Sequence, residues 1–167
     1  MNINTKPISY RRPALADGAR VWQAIKQAGT LDLNSSYLYL LLCDQFAETC
    51  ILAEMEAELV GFVTAFLRPD RPRTLFVWQV GVLPQARGRG VAKTMLQELT
   101  RRSACADLEW IEATVGPSNQ ASRALFAGLA RDLGVELHEQ PYMAQEHFPP
   151  GGGHEPEPLL RLGPLPR

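Results

Sequence analysis

The segment Thr74-Leu75-Phe76-Val77-Trp78-Gln79-Val80-Gly81-Val82-Leu83-Pro84-Gln85-Ala86-Arg87-Gly88-Arg89-Gly90 changes character twice, and its reading decides the fold. From Thr74 to Leu83 it is nearly continuous in hydrophobicity, as a central strand covered on both faces requires. Pro84 ends the strand. From about Gly90 to Arg102, Ala92, Met95, Leu96 and Leu99 recur at the i, i+3, i+4, i+7 spacing of one buried helical face. Between strand and helix, the amides of the first helical turn have no carbonyl partner, and glycines let a phosphate approach the backbone closely. Such a junction is a diphosphate cradle, with Arg87 and Arg89 adding positive charge. The plainer alternative is a tight turn whose guanidinium groups face water. A dinucleotide fingerprint does not fit, because Lys93 stands where GxGxxG needs its last glycine, and the GxxxxGK[ST] loop is absent.

Downstream, Trp110 to Val115 reads as a strand, and Asn119 to Leu133 as a helix carrying Leu125, Phe126, Leu129 and Leu133, closed by Gly134. Strand, helix, strand, helix implies a right-handed parallel crossover and an α/β fold class. Upstream, Cys50–Ala53 and Leu59–Leu67 predict a β-hairpin around Glu54–Glu58, and Ile8–Arg11 an edge strand. Pro13 separates that strand from a helix with Val21, Ile25 and Ala28 on one face, stopped by Gly29. The polar turn Thr30–Ser36 leads into a second helix expected to face the core with Leu38, Leu41 and Leu42. Seven of the 13 prolines fall from Pro141 onward, around Gly151-Gly152-Gly153, which predicts a long Pro/Gly-rich loop over 141–158 and one strand, Leu159–Leu162.

A chain of 167 residues suits a single domain, 1–167, built on one core. Apolar residues at 46% and charged residues at 21% exclude general disorder and membrane spanning. The net charge of −1 offers no broad basic field for nucleic acid, so a charged ligand must be bound locally. Cys43, Cys50 and Cys105 form no CxxC pair and leave one over, which indicates neither a disulfide framework nor a metal site and suits the cytoplasm. Met1 to Pro13 lacks a signal-peptide core, so the mature chain is expected to begin near Met1. Tyr37–Cys43, the longest apolar stretch, is too short to cross a bilayer.

Gln85-Ala86-Arg87-Gly88-Arg89-Gly90 resembles the Q/R-x-x-G-x-G/A acetyl-CoA signature of the GNAT N-acetyltransferases, and the element order matches as well. The resemblance implies a mixed central sheet flanked by helices, with acetyl-CoA in a cleft between splayed parallel strands. It further implies backbone contacts from Val80 and Val82 to the pantetheine arm, and a diphosphate held by Gln85, Arg87, Gly88, Arg89, Gly90 and Val91. Asn119 to Phe126 looks like the family's second cofactor segment, in which Asn119 contacts the CoA arm; it can also cap the helix. Many family members carry a Tyr where Phe126 stands. Phe126 has no proton to give the departing thiolate, which leaves water, Tyr142 or Tyr37.

A finer resemblance, to the L-2,4-diaminobutyrate acetyltransferases of ectoine biosynthesis, runs through Gly29–Ser35, Tyr39–Cys43, Val60–Thr64, Thr74–Val80 and Gly153–Glu155. It implies acetylation of the γ-amino group to N4-acetyl-L-2,4-diaminobutyrate by a cytoplasmic homodimer serving osmoprotection. A small diamino acid needs an anion for its α-ammonium, and Asp32 can supply one; the alternative role for Asp32 is a helix cap. An alkylamine with a Lys-like pKa is almost wholly protonated at neutral pH, so freeing its lone pair costs about 4 to 5 kcal/mol. Glu155, His154 or Glu157 can take that proton, directly or through water, or else form a solvated charge run. Trp78 can wall the amine or pack in the core, and Asn34 and Tyr37 can hydrogen-bond the substrate or start the helix. The expected chemistry is direct attack, with a strand amide near Val80 stabilising the oxyanion and Cys43 and Cys50 as buried structural residues. Acetylation of another small amine and a non-catalytic acyl-CoA sensor are the rival readings.

Overall fold

The computed structural model describes residues 6–166. The expected chain start at Met1 lies outside them. The elements in order are β1 (Ser9–Arg11), α1 (Gly18–Ala28), α2 (Ser36–Gln45), β2 (Ile51–Met55), β3 (Glu58–Arg68), β4 (Arg71–Val82), α3 (Val91–Thr100), β5 (Trp110–Thr114), α4 (Gln120–Leu133), β6 (Glu136–Met143) and β7 (Glu157–Gly163). Strands follow the hydrogen-bonded order β1-β2-β3-β4-β5-β7-β6. The β4–β5 pairing is parallel, while β1–β2, β2–β3, β5–β7 and β6–β7 are antiparallel, which makes the mixed sheet that the family resemblance implies. Among the described residues no helix is long and apolar enough to cross a membrane. The chain forms two compact units, one from the residues up to Phe66 together with Val77–Ala106, the other from Leu67–Phe76 and Asp107 onward.

In the first unit, α1 and α2 pack with β2 and β3 around Val21, Ile25, Tyr39, Leu42, Leu52 and Phe62. The buried face of α2 is Tyr39, Leu42 and Cys43. The expected face was one step out, because in an almost wholly apolar helix the hydrophobic pattern does not single out a side; Leu38 and Leu41 are half-buried. Between β2 and β3 the connection is shorter than expected. Glu54 and Met55 belong to β2, leaving Glu56 and Ala57 to turn the chain with φ of 53° and 66°. Two positive φ values in a two-residue loop match the right-handed strand twist, although neither residue is a glycine or asparagine. On α3 the buried face is Val91, Met95, Leu96 and Leu99, with Ala92 half-buried.

In the second unit, Thr74, Leu75 and Phe76 of β4 pair with Trp110, Ile111 and Glu112 of β5. Glu112 is fully buried and is held by Arg68 Nη1 at 2.7 Å and Arg161 Nε at 2.6 Å. Removing one guanidinium partner from such a buried carboxylate costs about 3–5 kcal/mol. Helix α4 buries Phe126, Gly128, Leu129 and Ala130, whereas Leu125 and Leu133 are half-buried. Strand β6 had no counterpart in the sequence reading. It lies at the sheet edge with nearly every residue exposed, so no apolar alternation marks it, and Pro141 sits where its register with β7 breaks between Gln140 and Met143. The Pro/Gly-rich loop is consequently narrower than 141–158, running over 144–156. Pro72 lies exposed within β4, since the chain already reverses at Pro69 and Asp70.

Candidate active site

Pro84 ends β4 and opens a single 3-10 turn, Pro84–Ala86, in which the Ala86 amide donates to the Leu83 carbonyl at 3.0 Å and the Arg87 amide to Pro84 at 3.3 Å. Gly88 and Gly90 then both take φ of +72°, and a Cβ at either position would meet nothing within 4 Å. Backbone conformation therefore demands glycine here, and open space lies above both residues. Gly90 is the N-cap of α3 with no capping side chain, and the first helical hydrogen bond runs from the Thr94 amide to the Gly90 carbonyl at 2.9 Å. The amides of Gly88, Arg89, Gly90, Val91 and Ala92 donate to no backbone acceptor among the described residues. Free amides at a helix start facing open space are suited to an anion.

Gln85 and Arg87 are exposed beside this loop, and Arg87 Nε donates to the Val82 carbonyl at 3.1 Å, which leaves its terminal nitrogens available. The Val82 carbonyl is thus already engaged. The Arg89 side chain departs from expectation, because its Nη2 donates to the Lys6 carbonyl at 2.6 Å and its Nη1 reaches Met55 Sδ at 3.4 Å. Its charge is tied to the N-terminal segment and β2, and only its backbone amide belongs to the cradle. Val80 is half-buried in β4.

The connection between α1 and α2 follows Gly29, which ends α1 with φ of 67°. Ser35, not Asp32, caps α2, its Oγ accepting from the Tyr37 amide at 3.3 Å. This removes the capping role considered for Asp32. Its exposed carboxylate makes no hydrogen bond among the described residues, while its carbonyl accepts from Gln79 Nε2 at 3.1 Å and Asn34 Nδ2 at 3.4 Å. Asn34 also contacts the Tyr39 hydroxyl at 3.4 Å and accepts from Trp22 Nε1 through its carbonyl at 3.1 Å. Trp78, at 36% exposure, is not a core residue; its ring stacks on Tyr39 with centroids 6.4 Å apart. Tyr37 is 65% exposed on the first turn of α2. Sequence reasoning missed Gln79 and Tyr39. The available signal was one amide side chain interrupting an otherwise apolar strand.

In the second unit, Asn119 caps α4, its Oδ1 accepting from the Ser122 amide at 3.1 Å, and Phe126 is buried in that helix. Glu155 docks on the same turn, accepting from Ser118 Oγ at 2.6 Å and the Ser118 amide at 3.3 Å, and it fills the space beside Gly116 where a Cβ would stand. A carboxylate near the positive end of a helix is favourably placed, so Glu155 serves as a tie for this turn. Glu157 accepts from Thr114 Oγ1 at 2.6 Å and lies 3.7 Å from His154 Nε2. His154 Nδ1 is 2.7 Å from the Glu155 carbonyl, and its ring stacks on Phe148 at 3.8 Å. Tyr142 is 43% exposed in β6. Burial pushes the Cys43 thiol up to about 12 and the Cys50 thiol up to about 11, so both remain protonated at neutral pH.

Residues 19–130 match the Acetyltransferase (GNAT) family. The chain is 48% identical to the L-2,4-diaminobutyric acid acetyltransferase of Virgibacillus pantothenticus over 93% of its own length and 97% of that relative's. It is 44% identical to the protein of the same name from Halalkalibacterium halodurans, over 95% of this chain and 82% of the other. A solved structure, the diaminobutyrate acetyltransferase EctA from Paenibacillus lautus in complex with its substrate L-2,4-diaminobutyric acid and coenzyme A, superposes with a TM-score of 0.93 at 47% identity, covering 97% of this chain and 98% of that one. Ard1 from Thermoplasma volcanium shares the fold alone, with a TM-score of 0.71 at 13% identity over 96% of this chain and 99% of that one. The chain belongs to the GNAT acetyltransferase family and, within it, groups with the L-2,4-diaminobutyric acid acetyltransferases.

Proposed function

We propose that this protein transfers the acetyl group of acetyl-CoA to the γ-amino group of L-2,4-diaminobutyrate, giving N4-acetyl-L-2,4-diaminobutyrate for ectoine biosynthesis. The likeness over nearly the whole chain to a structure holding both that amino acid and coenzyme A carries the reading. The uncapped start of α3 supplies the physical basis for the acyl donor: amides from Gly88 to Ala92 grip the diphosphate, with Arg87 adding charge and Gln85 at the rim. Val80 and Val82 offer main-chain contacts to the pantetheine arm. Asn119, whose Oδ1 is spent on the helix cap, keeps its amide nitrogen for that arm, and Phe126 packs in the helix behind it.

Asp32 pairs with the α-ammonium and so disables the amine that is easier to deprotonate; selectivity for the γ-amine is then a matter of placement. Asn34 and Tyr37 hydrogen-bond the substrate, and Trp78 walls the apolar side of its chain. The γ-ammonium loses a proton to the His154–Glu157 pair, whose partners face each other at 3.7 Å, while Glu155 holds the 116–119 turn through Ser118. The neutral amine attacks the thioester carbon, forming the N–C bond. The Val80 amide stabilises the oxyanion, the nitrogen gives its second proton to water as the intermediate collapses, and the C–S bond breaks to release CoA thiolate, which takes a proton from water or from an exposed phenol, Tyr142 or Tyr37. The whole chain acts as one acetyltransferase domain, in the cytoplasm, as a homodimer.

Thiol release from acetyl-CoA, followed with diaminobutyrate, ornithine, lysine and putrescine, tests the reading. We expect the highest kcat/KM for diaminobutyrate, with acetyl on the γ-nitrogen by NMR. Putrescine used equally well would remove the α-ammonium site, and binding of the cofactor with no turnover on any amine would mark a sensor.

A further inference from the structure

The loop carrying Asp32 has no helix or strand of its own, yet its main chain is tied to buried side chains. Gln79, only 6% exposed in β4, donates from Nε2 to the Asp32 carbonyl at 3.1 Å and accepts through Oε1 from the Tyr39 hydroxyl at 3.1 Å. Tyr39 is fully buried. Its hydroxyl has one proton, and giving it to Oε1 fixes which way the Gln79 amide faces, so that the donor end meets Asp32. A flipped amide would set the Asp32 carbonyl against another acceptor and leave the Tyr39 proton without its partner. The second lone pair of the Tyr39 oxygen takes Asn34 Nδ2 at 3.4 Å, and Trp22 Nε1 secures the Asn34 carbonyl at 3.1 Å. Gln79 and Trp22 thus hold this loop by its backbone, while the Asp32 carboxylate is left to solvent or to a ligand. The same Tyr39 ring stacks on Trp78, the residue before Gln79, with an interplanar angle of 16°.

We propose that Gln79, oriented by Tyr39, is a positioning residue for the amine substrate: it fixes the main chain at Asp32 and thereby sets where the carboxylate stands relative to Trp78. The proposal rests on the reading that Asp32 holds the α-ammonium. Gln79 touches no reacting atom; its effect reaches the substrate through Asp32. Losing one hydrogen bond of this kind from a loop anchor is worth about tenfold in binding.

Steady-state kinetics of Gln79→Met, Tyr39→Phe, Asp32→Ala and the double variant Asp32→Ala/Gln79→Met test this, using diaminobutyrate and 4-aminobutyrate, an acceptor without an α-ammonium. We expect Gln79→Met to raise the diaminobutyrate KM about tenfold and Tyr39→Phe about threefold, with the acetyl-CoA KM unchanged. For 4-aminobutyrate, kcat/KM should equal that of the parent in both variants. The double variant should be no worse than Asp32→Ala alone. Equal losses on both acceptors, or additive losses in the double variant, would make Gln79 a merely structural residue and overturn the proposal. Should Gln79→Met fail to fold, Tyr39→Phe alone decides, because it keeps the ring and removes only the oxygen. An unchanged diaminobutyrate KM in Asp32→Ala would instead refute the anchoring role of Asp32, and the proposal with it.

Discussion

Helices α3 and α4 both follow a strand, yet they begin in opposite ways. At α4 the Asn119 side chain accepts from the Ser122 amide and Glu155 docks on Ser118, so the donors of the turn are met by the protein itself. At α3 the capping position is Gly90, no side chain reaches back, and a run of amides is left open. Of the other two helices, α2 sides with α4 through its Ser35 cap, whereas Asp17 at the head of α1 makes no side-chain cap and accepts instead from the Ala14 amide at 2.8 Å. A capping side chain is worth about 1 kcal/mol, so its omission at α3 is a local sacrifice of stability. Such a sacrifice makes sense where an incoming anion completes the helix in place of a side chain.

Giving α3 the kind of start that α4 has should produce the largest effect. Gly90→Asp places a carboxylate among the open amides, at a positive φ that strains a side-chain-bearing residue, and we expect calorimetry to show CoA affinity reduced on the order of 100-fold, about 2.7 kcal/mol, with circular dichroism as the check on the fold. Undiminished affinity would mean that the α3 amides do not hold the diphosphate. The head of α1 supplies the next effect. The Arg11 guanidinium, bonded to Asp17 at 2.8 Å, is the main reason that carboxyl is held down to about 2 from its ordinary 3.8, with the Ala14 amide helping. Because the folded value lies below the unfolded one, the stabilisation is complete above about pH 4 and is lost as pH falls through about 2. Asp17→Asn should therefore cost roughly 2 kcal/mol at pH 7 in denaturant melts, and the difference from the parent should vanish toward pH 2. The smallest effect is expected on uncapping α4. Asn119→Ala should lower Tm by about 2–4 °C, and Asn119→Ser, which can still cap, should recover most of it.

The order of elements was legible because two signals agreed: hydrophobic period along each segment and a breaker at each end. Gly29 and Gly134 stop α1 and α4 where expected, and Pro84 stops β4. Strand β6 escaped because an exposed edge needs no apolar face. The open, glycine-rich turn before α3 was readable from local chemistry, since amides and glycines act through the backbone wherever a helix starts. Side-chain commitments were not readable. Nothing in Gln85–Gly90 says that Arg89 reaches Lys6 while Arg87 folds back on Val82, because both outcomes depend on what folding brings alongside. Glu155 and Glu157 posed the same difficulty. Two carboxylates two residues apart in a Pro-rich loop look alike in sequence, and only tertiary structure gives one to Ser118 and the other to Thr114.

The hairpin bend at Glu56 and Ala57 has a practical consequence. Left-handed backbone costs an ordinary L-residue roughly 1–2 kcal/mol, and here two such residues stand side by side, with Glu56 bonded to Lys6 at 2.5 Å. An Asn-Gly pair adopts the same bend with little strain. An engineer wanting a hardier catalyst can begin at that corner, which none of the groups assigned to chemistry occupies.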